Sequence, residues 1–405
     1  MTAPRILLAD ADAFFVAVAR MVDPDGAGRA PLLIVGGTRE SRGVVCSASY
    51  EVRKYGVRSA MPISRALRLC PQAMCVPVPR RACGDKSREI RAVLERYAPI
   101  VEGASVDEWY MDLGGTERLY DHEDLAVTAK RIRDAVTAAT KLSVSIGGGT
   151  TKLVAKLAVE RAKPKPGTTA TGVHIVPPGA EGKFLETFDL AEIPLIGPRF
   201  QERLAKLGMR TVPDVLQYDV PTLSQWLSAR EAEWLFDRVR GIDHSGIEAH
   251  GEAKSISRDE TFAVDLETDD DLSRELLALV TRAAADLRAD GLTARTIAVR
   301  IRDHDFKTRR ASRTLDAPVI SDRVILEVAH MLLAKLRAAR RVPARLIGVA
   351  LSSLAVDSTA DQLTLFEQRD GKLAETDRDR VLARTVDRVR ARFGDKGILP
   401  ARLVD

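Results

Sequence analysis

The hydrophobic positions of this chain fall into two kinds of run. Short continuous or alternating stretches have the length of strands, and longer stretches have helical spacing, so the pattern predicts an α+β protein built in pieces. Ile6-Leu7-Leu8-Ala9 opens the chain as a buried strand. Residues up to about 12, together with roughly 75–165, then interleave the strand-like runs Met74-Cys-Val-Pro-Val78 and Leu142-Ser-Val-Ser-Ile146 with helical stretches from Ser87 to Tyr97 and from Glu123 to Thr137. Between them lies an insertion of similar character, with strand candidates Pro31 to Val35 and Gly43 to Ser47 and a helix from Ile63 to Cys70. The helical run Lys152 to Ala162 is broken by Lys163-Pro-Lys-Pro-Gly167, because proline removes amide donors and fixes φ.

A small helical region follows to about Gly241, and Ile242 to Gly251 reads as a linker. Beyond it come a strand (Lys254 to Phe262), a helix (Asp270 to Ala289), two strands around Asp303-His-Asp-Phe306, a helix (Ser321 to Arg340) and a strand (Arg345 to Leu354). That is a βαββαβ order. The remaining residues read as a tail with one amphipathic helix.

At 405 residues and 45% hydrophobic content the chain can bury several cores, and its length suggests two to four domains. Cys46, Cys70, Cys75 and Cys83 show no paired metal spacing, which predicts reduced thiols in a cytoplasmic protein. No segment offers an unbroken transmembrane span, so no membrane association is expected. Asp10 and Asp12 cut the first apolar run, which argues against a secretory signal. The net charge of +5 permits a polyanionic partner without requiring one.

Two acidic strings carry the candidate chemistry: Asp10-Ala-Asp-Ala-Phe-Phe15, and Ser105-Val-Asp-Glu-Trp-Tyr-Met-Asp112. Both read as carboxylates at the ends of buried strands, where acids are costly unless a cation neutralises them. Neither string contains His or Cys, so oxygen ligands favour Mg²⁺ or Mn²⁺ over zinc. Period-two alternation puts Asp10 and Asp12 on one face but Asp107 and Glu108 on opposite faces, so a bulge or a strand end must bring the latter two together.

Two further features suit nucleic acid. Leu195-Ile196-Gly197, with Pro198 to Leu207 helical and Gly208 closing it, resembles a helix-hairpin-helix, whose amides hold a phosphate without reading bases; an ordinary helical turn has the same signature. From Arg295 to Arg313, seven basic residues (Arg295, Arg300, Arg302, Lys307, Arg309, Arg310, Arg313) face two acids, Asp303 and Asp305, giving either a phosphate-tracking surface or a solvated outer sheet face. Phe306 is the one aromatic there, which disfavours base stacking.

Asp10-x-Asp-x-Phe-Phe15, the string Ala48-Ser-Tyr-Glu-Val-Arg-Lys-Tyr-Gly-Val-Arg-Ser-Ala-Met-Pro62, Ser105-Val-Asp-Glu108 and Ala162-Lys-Pro164 together resemble the Y-family translesion DNA polymerases, most of all the DinB branch, the bacterial DNA polymerase IV type. The resemblance continues through Leu195-Ile-Gly197, Arg240-Gly-Ile-Asp243, Lys254-Ser-Ile-Ser257 and Gly348-Val-Ala-Leu-Ser352, and so spans the chain to about residue 355. It implies an α+β, right-hand polymerase with a ferredoxin-like palm (1–12 and 78–166), small fingers (13–77), a helix-hairpin-helix thumb (167–241), a linker (242–251), a βαββαβ little finger (252–356) and a tail (357–405).

The resemblance further implies template-directed, low-fidelity lesion bypass on primer-template DNA with deoxynucleoside triphosphates. Asp10, the carbonyl of Ala11, Asp107 and Glu108 would hold two Mg²⁺ ions, or Mn²⁺, with Asp12 left as structural. Ser47, Tyr50, Arg53 and Lys163 would hold the triphosphate, and Phe15, beside Phe14, would be the steric gate under the sugar. Taken alone, Phe14 reads as core and Arg53 as a surface salt-bridge partner of Glu51 or a neighbour. Ile196, Gly197, Gly208, Arg300, Arg302, Lys307, Arg309 and Arg310 would contact DNA. The chain departs from the family pattern at Ala19, Cys83 and Leu227-Ser228, where Glu, Tyr and Phe-Gly are usual; the last bears on the second thumb hairpin.

In the tail, Gln362-Leu363-Thr-Leu365-Phe366 resembles the peptide that binds the bacterial sliding clamp, with Leu365 and Phe366 as apolar anchors; the other reading packs these side chains on the little finger. An Arg-rich helix, Asp377 to Phe393, follows without an evident role. A monomer is expected. Two alternatives stand beside the polymerase: a catalytically inactive clamp-binding accessory protein of the same fold, which would lack the metal carboxylates, and a nucleotide cyclase, which would explain neither the hairpin motif nor the clamp peptide.

Overall fold

The computed structural model describes residues 3–38, 42–164, 170–249, 251, 253–357, 373–394 and 397–404. The chain divides into two units, Met1–Gly251 and Glu252–Asp405.

The first unit begins with β1 (Ile6–Ala11) and α1 (Phe14–Val22). Next come β2 (Leu33–Gly36), β3 (Val45–Ala48), α2 (Tyr50–Arg53), α3 (Ile63–Leu69) and β4 (Met74–Pro77). The chain continues through α4 (Arg80–Leu94), β5 (Ile100–Gly103), β6 (Glu108–Asp112), α5 (Leu125–Thr140), β7 (Val144–Gly149), α6 (Lys152–Ala162) and β8 (Val173–Ile175). It closes with five short helices, α7 (Glu181–Leu185), α8 (Pro198–Lys206), α9 (Val212–Leu216), α10 (Val220–Leu223) and α11 (Ala229–Val239).

Five strands form the main sheet in the order β5-β6-β1-β7-β8. The central strand β1 is covered on both sides, which is why its sequence reads as a continuous apolar run. Leu7, Ala9 and Ala11 enter the core shared with Phe14, Ile90, Trp109 and Ile132, while Leu8 packs with Ala155 and Val159 of α6 on the other face. That helix lies directly on the sheet backbone. A Cβ at Gly147 in β7 would run into Val159, Ala155 and Ala158, so glycine is what admits α6 so close. Thr151 caps the helix, its hydroxyl accepting the Val154 amide at 3.2 Å. Lys163 ends it with extended backbone (φ −60, ψ 122), as a residue before proline must.

The Met74 run, grouped by its pattern with the strands of the main sheet, belongs elsewhere. As β4 it pairs in parallel with β2, giving a separate sheet β3-β2-β4 around Ile34, Val45, Val52 and Ile63. A four-residue apolar run carries no information about which sheet it joins. The short helices pack around Leu185, Phe188, Leu204, Leu235 and Val239, joined by Leu153, Val154 and Leu157 of α6. After Gly241 (φ 76) the linker is fastened to this unit. Asp243 accepts the Leu153 amide at 3.1 Å, Lys152 bonds Glu102 at 2.7 Å and the Gly246 carbonyl at 3.3 Å, and the Glu248 amide donates to Glu102 at 2.9 Å.

The second unit follows the expected βαββαβ order: β9 (Ser255–Leu266), α12 (Asp269–Ala289), β10 (Leu292–Asp303), β11 (Thr308–Val319), α13 (Asp322–Ala339) and β12 (Ala344–Val356). Its antiparallel sheet runs β11-β10-β12-β9, with α12 and α13 packed on one face through Leu276, Leu279, Val328 and Leu332 against Ile297, Val299 and Ile347. The Arg-rich stretch forms α14 (Asp377–Phe393), which packs back on this same unit. Arg288, its side chain 4% exposed, bonds Asp387 at 2.5 and 2.8 Å, and Arg323 bonds Asp379 at 2.8 Å.

Candidate active site and nucleic-acid interface

Register decides how the acids meet. Asp10 of β1 pairs directly with Glu108 of β6, so both carboxylates leave the same face of the sheet. Asp107 precedes the first residue of β6, in the turn from β5, and its carbonyl accepts the Ala11 amide at 2.9 Å. The strand end, rather than a bulge, resolves the alternation problem.

Each acid has its own partner. Lys163 lies 2.8 Å from Asp10 and 2.6 Å from Glu160, Lys156 lies 2.6 Å from Glu108, and the Ser105 hydroxyl donates to Asp107 at 2.5 Å. Asp12 instead accepts the hydroxyls of Ser143 at 2.8 Å and Ser145 at 2.7 Å, fastening the end of β1 to β7. Burial pushes the Asp10 carboxyl up to about 7, against the attraction of Lys163. Burial also works against the charge of Lys163, but Asp10 and Glu160 outweigh it and hold the ammonium above the ordinary lysine range. The lysine is therefore the fixed charge of the pair and the carboxylate the group that titrates.

This donor set fits a hard divalent cation. Asp10, Ala11, Asp107 and Glu108 line one cavity of about 250 Å³ with oxygen donors, and two ammonium groups already neutralise two of its acids. With their present partners, no three acids, histidines or cysteines among the described residues converge to coordination distance.

The same cavity is lined by Phe15, Ser47, Tyr50, Arg53 and Lys163. Ala13 turns the chain between β1 and α1 in the left-handed region (φ 46), setting the two phenylalanines edge to face with centroids 5.6 Å apart. Phe14 borders the same cavity but is 2% exposed and belongs to the main core, as its place in the sequence alone suggests; Phe15 is only partly buried. Arg53 donates to the Ala48 carbonyl at 2.9 Å and stands 5.0 Å over the Tyr50 ring, without a carboxylate partner among the described residues, so the expected pair with Glu51 is not formed. Cys46 and Ser59 also line the cavity, and Lys156 grips Glu108; none of the three was anticipated. For Lys156 a signal existed, since it shares a helix face with Lys163 seven residues on.

Around α8, the predicted phosphate contacts separate. Gly197 is the exposed N-cap of α8, a position where the first helical amides lack intrahelical partners. Ile196 is 3% exposed and its amide donates to Ile193 at 3.2 Å, so neither side chain nor amide is available to a phosphate. Gly208 (φ 81) stands at the other end of α8, roughly 13 Å away by helical rise, and serves to turn the chain. Ser228 caps α11 and accepts the Glu231 amide at 3.3 Å, so the unusual Leu227-Ser228 makes an ordinary capped start to that helix.

On the second unit the basic residues divide by sheet face. Arg310, Arg300, Gly348 and Asp259 form one row across β11, β10, β12 and β9, on the wall of a groove of about 220 Å³. Arg310 is exposed, with no carboxylate partner among the described residues, and Lys307 is exposed in the β10–β11 turn, 3.8 Å from Asp305. Arg300 reaches past Gly348 to pair with Asp259, Nε to Oδ1 being 2.9 Å, and Arg302 bonds the Thr308 hydroxyl at 3.0 Å. Arg309 is not a surface contact. It points to the helical side and bonds the fully buried Asp303 at 2.8 and 3.1 Å, together with the carbonyls of Leu336 and Arg340. The segment Gln362 to Phe366 lies outside the described residues.

Residues 9–160 match the model of the impB/mucB/samB family, and residues 253–365 match that of the impB/mucB/samB family C-terminal domain. Among curated relatives, DNA polymerase IV of Dehalococcoides mccartyi (strain CBDB1) is 33% identical over 99% of this chain and 98% of its own length. DNA polymerase IV of Desulfatibacillum aliphaticivorans is 34% identical over 100% and 98%, respectively. Among solved structures, a Y-family DNA polymerase chimera of Dbh and Dpo4 superposes with a TM-score of 0.74 at 24% identity, covering 87% of this chain and 99% of the chimera, a likeness of fold. DinB from Sulfolobus solfataricus gives a TM-score of 0.58 at 25% identity over the same shares.

Proposed function

The chain belongs to the impB/mucB/samB family, within the DinB branch of the Y-family DNA polymerases, and we infer from that membership that it is a template-directed, low-fidelity DNA polymerase for lesion bypass. The observation that carries the reading is the cavity where the acidic strings meet the Tyr50–Arg53 helix. One wall offers carboxylates, and the facing wall offers a hydroxyl and cations suited to phosphate.

In this reading Arg53 and Lys163 hold the β- and γ-phosphates of an incoming deoxynucleoside triphosphate, with Tyr50 and Ser47 adding hydroxyls. Arg53 is preset by the Ala48 carbonyl and the Tyr50 ring. Phe15 lies under the sugar and excludes a 2′-hydroxyl. Asp10, Asp107, Glu108 and the Ala11 carbonyl would hold two Mg²⁺ ions. Divalent cations bound there supply positive charge to the entering and leaving oxygens of an in-line displacement at the α-phosphate. DNA phosphates are met by the Gly197 end of α8 and by Arg310 and Lys307 on the second unit. The inactive-accessory alternative has no observation in its favour, since all three carboxylates are in place.

Primer extension with Mg²⁺ and four deoxynucleoside triphosphates tests the reading: template-directed extension is expected, and none in the presence of a competent primer-template would refute it. Gln362 to Phe366 is proposed to bind the bacterial sliding clamp, tethering a monomeric, cytoplasmic enzyme near the primer end. Among the described residues no helix is long and apolar enough to cross a membrane. Clamp pull-down of Leu365→Ala/Phe366→Ala should lose binding that wild type shows; equal capture would place recruitment elsewhere.

A further inference from the structure

Three basic side chains stand at the acidic cavity, and they differ in what holds them. Arg53 lines the cavity but pairs with no carboxylate among the described residues, while Lys156 pairs with Glu108 but does not line the cavity. Lys163 does both. Its backbone is fixed between the end of α6 and Pro164, so only the four-carbon stem can swing. At 2.8 Å from Asp10 and 2.6 Å from Glu160 the ammonium already has two of its three N–H donors on carboxylates, so a triphosphate at Arg53 competes with them for it, and Asp10 has less of its carboxylate to give a cation while it holds Lys163.

We propose that Lys163 is an exchangeable counterion that couples cation binding to triphosphate binding: it neutralises Asp10 when neither ligand is present, and turns to the triphosphate once Asp10 takes a divalent cation. The proposal rests on the polymerase reading of the cavity. Asp10 and Glu160 are then competitors of the nucleotide for one ammonium group. Occupation of Asp10 removes one of the two competitors, so each ligand tightens the other by the same factor. Glu160, 2.6 Å from Lys163, keeps the ammonium near the cavity mouth during the exchange.

A double-mutant cycle in EDTA separates this from plain charge relief. Binding of a fluorescent deoxynucleoside triphosphate is measured for wild type, Asp10→Asn, Lys163→Met and the double variant. Asp10→Asn should tighten metal-free binding by about fivefold or more in the presence of Lys163 and much less when Met replaces it. An equal gain in both backgrounds, or no gain in either, overturns the proposal. A second measurement needs no altered active-site acid: in protein with ¹³C-dimethylated lysines, the Lys163 signal, assigned by its loss in Lys163→Arg, should shift on adding Ca²⁺ without nucleotide. An unmoved signal likewise overturns it. Either failure in a protein that extends primers leaves the polymerase reading intact, whereas failure to extend primers strikes at that reading instead.

Discussion

Asp10 and Glu108 face each other across β1 and β6, and each is held by a lysine of the same helical segment, Lys163 and Lys156. Two buried-edge carboxylates side by side repel, and the lysines offset that repulsion in the absence of a stronger cation. The arrangement stores no binding contact for DNA, so chemistry and DNA grip should separate cleanly on mutation.

Glu108→Gln and Asp107→Ala are each expected to lower nucleotide incorporation by at least ~10²-fold, because charge stabilisation at the reacting centre is lost. Affinity for primer-template DNA should stay close to wild type. Single-turnover extension together with equilibrium DNA binding reads both quantities, and near-normal turnover in either variant would remove these acids from the mechanism.

Phe15→Val should raise the ratio of ribonucleotide to deoxynucleotide incorporation. Both phenylalanines border the cavity, but Phe14 is fully packed in the core and Phe15 only partly buried against it, so removing the Phe15 ring opens space at a smaller cost to the fold. Phe14→Val should cost stability instead. Competition between the two nucleotide types on one template gives the ratio, and an unchanged value would show that another wall excludes the 2′-hydroxyl.

Arg309→Ala and Arg310→Ala should behave as opposites. Arg310→Ala is expected to weaken duplex binding without sequence preference and to reduce the salt slope by roughly 0.9, one lost phosphate contact. Arg309→Ala leaves the buried Asp303 with Arg340, 2.6 Å away, as its remaining basic partner, and should cost on the order of 3 kcal/mol in unfolding. Salt titration and denaturant melts distinguish them; matching phenotypes would contradict the two-faced arrangement.

The pH dependence of the metal-free protein should report Asp10. Its carboxyl, ordinarily near 3.8, is raised by burial to about 7, so the folded state binds this proton more tightly than the unfolded chain. The cost of ionising Asp10 is therefore absent below about pH 4, grows between the two values, and is complete above about 7. Asp10→Asn should raise the melting temperature in EDTA, by more at pH 8 than at pH 5.5. A difference independent of pH would mean that Asp10 ionises without penalty.

Much of this was legible before the fold. The second unit's order could be read because its strands run to twelve or thirteen residues and its helices to eighteen and twenty-one, long enough for each period to declare itself. The run at Met74 was too short for that, and its partner strand is chosen by tertiary packing. Alternation along the strand already separates Arg309 from Arg310, which the sum of charge from Arg295 to Arg313 does not register. The hairpin motif points to Ile196 by position, but an isoleucine before a helix start more often anchors the turn from within, as its 3% exposure shows here. Asp107 and Glu108 required the turn geometry before β6, which no periodicity contains. Lys156 was missed because a lysine on an amphipathic helix ordinarily faces water.

Gly348 is an empty position in the row that runs from Arg310 to Asp259. A Cβ there would run into the Asp259 carboxylate, so a single added methyl group must turn Asp259 away from Arg300. The present groove presents Arg310 beside a charge-compensated pair; the altered one would present two uncompensated guanidinium groups on adjacent strands. The electric potential along that sheet face is thus set by the one residue in the row that has neither charge nor side chain.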